Sequence, residues 1–163
     1  MRRSGFQRPK REDYEYKPVA PRQKPHKPRG ATKLTKVKSR SQAKLKKLLD
    51  VVFSKYIRAI HPPVCYTCGK HSTPQNLQCG HFIPRQYLVT RWSEDNCRPQ
   101  CVGCNVFGNG QLLDFEEHLK RDIGENEVEM MKMSRHVIRK LSNDWYESEI
   151  ERYTKLLAEL STQ

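Results

Sequence analysis

The chain has 163 residues, a formal net charge of +13 and a hydrophobic content of 36%, and its length suits about one domain. No stretch reaches the roughly 18 apolar residues of a membrane helix, and no apolar secretory segment follows the charged start. The composition therefore favours a cytoplasmic protein and argues against a membrane-spanning or secreted one.

The excess positive charge lies at the start of the chain. Residues 1–50 hold 17 Lys and Arg against 4 Asp and Glu, whereas residues 51–163 hold 14 of each sign. Residues 1–38 also contain five prolines and few aliphatic side chains, which predicts disorder in solution. Since DNA binding rewards Lys and Arg through counterion release, we interpret this segment as a DNA-binding arm. A solubilising tail is the alternative.

Helical periodicity begins after the arm. Ser41 suits an N-cap, and His61-Pro62-Pro63 ends the pattern. The apolar positions are Leu45, Leu48, Leu49, Val52, Phe53, Tyr56 and Ile60. A zinc turn at 65–69, a strand near 76–83, a loop at 84–95 and a turn into a helix near 101 are predicted next.

Helices dominate the last third of the chain. A stripe from Leu112 to Ile123 predicts a helix that ends at Gly124. One helix is predicted from 125 to about 141, and another after Ser142. Residues 106–163 hold 12 acidic and 8 basic residues, so this part is a poor DNA surface, and packing or self-association is the expectation.

Six cysteines lie between positions 65 and 104. Two Cys-x-x-Cys pairs, Cys65/Cys68 and Cys101/Cys104, predict a four-cysteine zinc site without an open position for chemistry. Gly69 suits a turn that needs positive φ. For the remaining Cys79 and Cys97 two interpretations stay open: small buried hydrophobic residues, or ligands that replace a zinc cysteine or contact a catalytic metal.

A histidine and two asparagines accompany the cysteines. Asn96 and Asn105 follow His81 at +15 and +24, and Gly80 precedes it. We expect Gly80 to allow close backbone approach. A histidine at a strand end and an amide at a helix start can meet across a ββα unit, where they can bind a divalent ion and a phosphate together.

These residues carry a family resemblance. The series from Cys65-x-x-Cys68 through Gly80-His81 and Asn96 to Cys101-x-x-Cys104-Asn105 resembles the HNH, or His-Me finger, nucleases with a four-cysteine zinc site. Gly80-His81-Phe82, Arg91, Gln100-Cys101-Val102, Gly108-Asn109 and Ile123-Gly124 more closely resemble the NinG/Rap phage recombination family. The likeness covers about residues 45–155.

The resemblance implies roles for the site residues. His81 would be the general base, Asn105 a ligand to a catalytic Mg2+ or Mn2+, and Asn96 a brace that holds the loop and His81 in place. Zinc would anchor Cys104 beside Asn105. In a phage protein, the location would be the host cytoplasm.

One position departs from the family pattern. Gln78 stands where some relatives carry an Asp that binds the metal. Either its carbonyl oxygen substitutes, or a nearby carboxylate reaches in, or the ion is held weakly. The candidate carboxylates are Glu94, Asp95, Asp114 and Glu117.

Basic side chains surround the predicted site. Arg85, Arg91, Arg98 and Lys70 are predicted to contact DNA phosphates, Arg91 above all. Solvated surface charge is the alternative.

The sequence therefore predicts an α+β fold: a small zinc-stapled ββα-metal core flanked by helices, after a disordered basic arm. The predicted regions are 1–38 (arm), 39–124 (nuclease domain with leading helix) and 125–163 (helical). The predicted function is an endonuclease on branched DNA such as Holliday junctions, flaps and forks. A homodimer through the 125–160 helices is favoured, because resolving a junction needs two coordinated cuts. The alternatives are a non-catalytic zinc-dependent DNA-binding recombination mediator and a structural adaptor.

Overall fold

The computed structural model describes residues 41–162; the predicted basic arm at 1–38 lies outside the described residues. The elements confirm the α+β class. In chain order they are α1 (Gln42–Ile60), β1 (Leu77–His81), β2 (Cys97–Cys101), a π-helix (Gly103–Phe107), α2 (Leu112–Ile123), α3 (Glu125–Ser134) and α4 (Asn143–Ser161). None of the helices within residues 41–162 has the length and apolar character to cross a membrane.

The first and last helices form the main hydrophobic core. The buried face of α1 repeats every four residues, at Leu45, Leu49, Phe53 and Ile57. Tyr146 and Tyr153 of α4 pack against it, and the rings of Phe53 and Tyr153 meet edge to face at 5.0 Å. The helix begins after Ser41 and ends before His61-Pro62, as predicted, although the Ser41 side chain makes no cap hydrogen bond. This core joins the two sides of the predicted region boundary at 124.

A two-stranded antiparallel hairpin carries the cysteines. Its register pairs Leu77 with Cys101 at one end and His81 with Cys97 at the other. The predicted strand near 76–83 is confirmed as β1, but the sequence did not locate β2. Its central residue is Pro99, which lacks the ladder N–H and is tolerated in a strand at a sheet edge.

A second hydrophobic cluster lies under α2 and α3. Phe82 and Ile83, just after β1, pack against Phe115, Leu119 and Val128. Gly124 ends α2 with a φ of 96°, as predicted.

The segment between α3 and α4 differs from the prediction. The single helix predicted to reach 141 is wrong, because α3 ends at Ser134. The apolar spacing misled here, since Val137 and Ile138 are exposed rather than buried. Ser142 does cap α4, and its side chain accepts a hydrogen bond from the Trp145 N–H.

Candidate metal-binding and catalytic site

Four cysteines meet at the Cys101 end of the hairpin. The sulfur atoms of Cys65, Cys68, Cys101 and Cys104 all lie within 4.8 Å of one another. The turn before β1 supplies the first pair, and Gly69 closes that turn with a φ of 69°. The end of β2 and the π-helix supply the second pair. The predicted cysteines are therefore the ones that the fold brings together.

The chemistry of this cluster fits zinc. The sulfurs of Cys68 and Cys101 are 3.9 Å apart, close to the roughly 3.8 Å edge of a tetrahedron with Zn–S bonds near 2.3 Å. Burial raises the pKa of the Cys65 thiol, but backbone hydrogen bonds from Cys68 and Cys101 outweigh it and lower the pKa to about 6. A thiolate is thus present at neutral pH to bind a cation.

A cavity of about 360 Å³ lies along β1. Four of the predicted site residues, Gln78, His81, Arg85 and Asn105, line it. The remaining lining residues are Asp50, Val51, Phe53, Ser54, Arg58 and Cys79. The fold therefore gathers an imidazole, two side-chain amides and two guanidinium groups around one space.

The His81 ring is held between two carbonyl groups. Its Nε2 lies 3.0 Å from the carbonyl oxygen of Arg91, and its Nδ1 lies 3.2 Å from that of Cys79. Burial lowers the pKa of His81 to about 4, against the opposing effect of the Arg91 carbonyl. The imidazole is neutral at pH 7, so it carries one proton for two acceptors.

Asn96 braces the loop after β1. Its Oδ1 accepts a hydrogen bond from the Ile83 N–H at 2.6 Å. Its Nδ2 donates to the carbonyl oxygens of Ile83 and Thr90, both at 3.0 Å. The side chain is fully buried and makes no direct bond to His81. It fixes the loop that carries Arg91, and the Arg91 carbonyl contacts the His81 ring.

Asn105 and Gln78 form a pair across the cavity wall. Asn105 Nδ2 donates to Gln78 Oε1 at 2.6 Å. This contact uses the Gln78 oxygen and leaves Asn105 Oδ1 as the acceptor that can bind a cation. Two neutral amides bind Mg2+ more weakly than carboxylates, so the donor set fits a hard cation in part.

The carboxylate of this cavity comes from α1. Among the described residues that line it, the acidic side chain is Asp50. The sequence alternatives Glu94, Asp95, Asp114 and Glu117 are not among the lining residues, which corrects that expectation. Asp50, Ser54 and Arg58 repeat every four residues, and this polar stripe was the signal that could have located them.

The Asp50 carboxylate is hydrogen-bonded rather than free. Arg91 forms two hydrogen bonds with it, from Nε at 2.9 Å and from Nη2 at 2.6 Å, and Trp92 Nε1 donates at 3.0 Å. Burial raises the pKa of Asp50, but the Arg91 hydrogen bond and charge outweigh it and hold the pKa below its usual value. Asp50 therefore positions Arg91, and its carboxylate oxygens are not available as metal ligands.

The basic residues divide into buried and exposed pairs. The Arg91 side chain is 11% exposed, and Arg98, 7% exposed, donates to the carbonyl oxygens of Glu94 and Cys97. Burial argues against phosphate contact for these two, including Arg91, for which the prediction was strongest. Arg85, whose side chain is 56% exposed, pairs with Asp50 at 3.0 Å, and Lys70 is exposed, so both cationic groups are accessible from solvent.

Gly80 has a different neighbour from the one expected. A Cβ at this position would lie 2.1 Å from Gln100 Oε1, so the close approach comes from a side chain and not from backbone. Gln100 is fully buried and donates to Thr67 Oγ1 and to the Gly110 carbonyl. It thereby links the first cysteine turn to the segment after the π-helix.

Comparison with known proteins identifies the family. A family model described as the bacteriophage lambda NinG protein matches residues 6–163. No curated protein and no solved structure gave a significant match. Since the matched residues span nearly the whole chain, the protein belongs to the NinG family of phage recombination-associated proteins.

Proposed function

We propose that this protein is a metal-dependent endonuclease that hydrolyses phosphodiester bonds in branched DNA. One observation carries the proposal: His81, Asn105 and two arginine side chains line a single cavity. An imidazole base, an oxygen ligand and cationic groups are what phosphodiester hydrolysis requires. The HNH-type ββα interpretation of the hairpin and π-helix belongs to this proposal.

His81 acts as the general base through Nδ1. The Nε2–H donates to the Arg91 carbonyl, which is the shorter of the two ring contacts at 3.0 Å. The lone pair on Nδ1 then takes the proton of the attacking water. A bound phosphate places negative charge beside the ring, which raises the pKa of His81 from its low value toward neutrality.

Asn105 would hold the hard cation, and Gln78 orients the Asn105 side chain. The 2.6 Å bond from Asn105 Nδ2 to Gln78 Oε1 fixes the plane of the Asn105 amide. A bound Mg2+ or Mn2+ supplies charge stabilisation at the phosphate oxygens and the leaving group. Zinc at the four cysteines would keep Asn105 in place, because Cys104 directly precedes it.

Cationic side chains bind the DNA backbone. Arg58 and Arg85 line the cavity, and the Arg58 Nη1 bond to Ser54 Oγ keeps that guanidinium on the α1 stripe. The lysines and arginines of residues 1–50 add sequence-independent attraction.

A dimer accounts for the two cuts that a four-way junction requires. Apolar side chains around the end of α3 are exposed by 61–90%: Met130, Met133, Val137 and Ile138. Soluble monomers seldom leave such groups together on the surface, so this segment is the proposed self-association face.

A cleavage panel tests the function. Wild type, His81→Ala and the exposed control His71→Ala are incubated with four-way junctions, flaps, forks, linear duplex and single strands, with and without Mg2+. Loss of a general base slows His81→Ala by roughly 10²–10⁴-fold, while its DNA affinity and the His71→Ala rate stay at wild-type values. Cleavage by His81→Ala at the wild-type rate would remove its assigned role.

A second candidate is a non-catalytic recombination mediator. The engagement of Asp50 by Arg91 favours it, because no free carboxylate lines the cavity within residues 41–162. It predicts junction binding without cleavage of any DNA in Mg2+ or Mn2+.

A further inference from the structure

The hairpin carries a second group of metal-binding side chains. Ligand atoms of Cys79, His81 and Cys97 lie within 4.8 Å of one another. The sheet geometry explains this: Cys79 and His81 share one face of β1 because side chains alternate, and the register pairs His81 with Cys97. Two thiols and one imidazole therefore converge without a contribution from any loop.

This group is separate from the four-cysteine cluster. The register places His81–Cys97 four residue steps from Leu77–Cys101, which is about 13 Å along the strands. The four-cysteine cluster already supplies the four ligands that a tetrahedral zinc site needs. Cys79 and Cys97 are therefore not spare ligands of that site.

The contacts of His81 hold its ring beside the two thiols. Nε2 lies 3.0 Å from the Arg91 carbonyl oxygen, and Nδ1 lies 3.2 Å from that of Cys79. These two contacts fix the orientation of the ring, so a ring nitrogen is kept within 4.8 Å of both sulfur atoms.

The donor set selects a soft metal. Two thiolates cancel the charge of a divalent cation, and a neutral imidazole completes a ligand type that Zn2+ accepts and Mg2+ does not. Cys97 is fully buried, while Cys79 and His81 line the cavity. Three protein ligands leave one position of a tetrahedral ion without a protein ligand.

We propose that Cys79, His81 and Cys97 bind one Zn2+ ion, and that this ion occupies the His81 imidazole and blocks cleavage. The binding is independent of the proposed function; the inhibition rests on it. The same cavity then holds oxygen ligands for a hard cation and sulfur ligands for a soft one, so the kind of metal bound sets whether the base is available.

Metal content tests the binding. The full chain, with zinc in the four-cysteine site, is titrated with Co2+, whose thiolate charge-transfer and d–d absorption reports ligation. Wild type and the exposed control His136→Ala are expected to bind one additional Co2+ ion per chain. The double variant Cys79→Ser/Cys97→Ala is expected to bind none, while it keeps its first zinc and its helical circular dichroism.

Two outcomes overturn the site: no additional Co2+ ion in wild type, or an additional ion with unchanged spectrum in the double variant. A His81→Ala single variant gives an independent check. It keeps both thiols, so its spectrum shifts to nitrogen-free ligation or its affinity falls.

Cleavage assays test the inhibition. At Zn2+ ten times above the Kd of the site, about nine-tenths of the sites are filled, so the wild-type rate in Mg2+ falls roughly tenfold. The double variant cleaves in Mg2+ and resists the added Zn2+. Equal inhibition of both proteins would overturn the inhibitory role. Additional metal without cleavage by either protein would instead refute the proposed function and leave the site intact.

Discussion

The two ends of the hairpin hold sulfur ligands in different ways. At the Cys101 end, four thiols form a closed set that joins the turn before β1 to the π-helix. At the His81 end, two thiols and an imidazole come from the strands alone and border a cavity. The first arrangement ties together segments distant in sequence, whereas the second adds no new connection.

This difference suggests that the Cys101 end stabilises the fold, whereas the His81 end serves chemistry. A cation bound at the closed set would replace core packing that so small a hairpin lacks, so we expect its loss to unfold the region. The open set is held by strands that are already paired and by α1, which packs behind Cys97. Its residues are free to serve function, and substitutions there are expected to cost less stability.

The largest expected effect contrasts Cys101→Ser with Cys97→Ala. Structural zinc contributes on the order of 10 kcal/mol in small domains, so Cys101→Ser is expected to lose its zinc and unfold the hairpin. Cys97→Ala removes one buried sulfur and costs about 1 kcal/mol. Urea unfolding and zinc content by native mass spectrometry measure both. Equal stability of the two variants would contradict the division of roles between the ends.

Asp50→Asn tests the support of the His81 end. Removing the charge leaves Arg91 buried without its partner, which costs about 3 kcal/mol of unfolding free energy at pH 7. The folded pKa of Asp50 is lowered, so its contribution is present above the unfolded pKa of about 3.9 and is lost as pH falls through the folded pKa. The difference from wild type is therefore constant from pH 7 to 5 and shrinks below about pH 4.

The exposed Asp95→Asn is the matched control for the same charge change. Urea unfolding of both variants across this pH range gives the comparison. A pH-independent difference for Asp50→Asn would mean that packing, not charge, is what Asp50 contributes.

Gly80→Ala tests the link between the ends. The added methyl would meet Gln100 Oε1 at 2.1 Å, and Gln100 is anchored at Thr67 and Gly110. Overpacking of this kind costs about 1–3 kcal/mol. Gly103→Ala, where the nearest atom is Cys101 Sγ at 3.7 Å, is expected to stay within about 0.5 kcal/mol of wild type. Thermal unfolding of the two variants decides whether the contact is tight.

The smallest effect is a gain in metal binding within the cavity. Gln78→Asp adds a carboxylate beside Asn105, so the Mg2+ concentration for half-maximal cleavage falls about tenfold, equal to about 1.4 kcal/mol. Gln75→Asp, exposed and outside the cavity, makes the same charge change and leaves that concentration unchanged. A Mg2+ titration that shifts equally for both would point to general electrostatics.

The sequence predicted the sites whose residues have a recognisable spacing along the chain. The two Cys-x-x-Cys pairs located the four-thiol cluster, and the His81-to-Asn105 spacing placed both residues on one cavity. These arrangements depend on local turns and a single hairpin. Gly69, Gly124 and Ser142 were likewise predictable, because each satisfies a local backbone requirement.

Side-chain contacts between residues far apart in the chain could not be predicted from the sequence in the same way. Asp50 reaches the cavity from α1, and only the tertiary packing shows that it pairs with Arg91. Without that partner, Arg91 looked like a surface cation. The strand β2 was hidden because Pro99 and Arg98 have little β-propensity, while its pairing with β1 overrides that local preference.

The packing of α1 against α4 has a consequence for biosynthesis. Residues 61–142 separate the two helices, so at about 5–20 residues per second α1 precedes α4 from the ribosome by roughly 4–16 s. During that interval the face formed by Leu45, Leu49, Phe53 and Ile57 lacks its cover. Nascent chains that stop before α4 therefore expose the apolar face of α1 to solvent. This face is buried only after α4 has been synthesised.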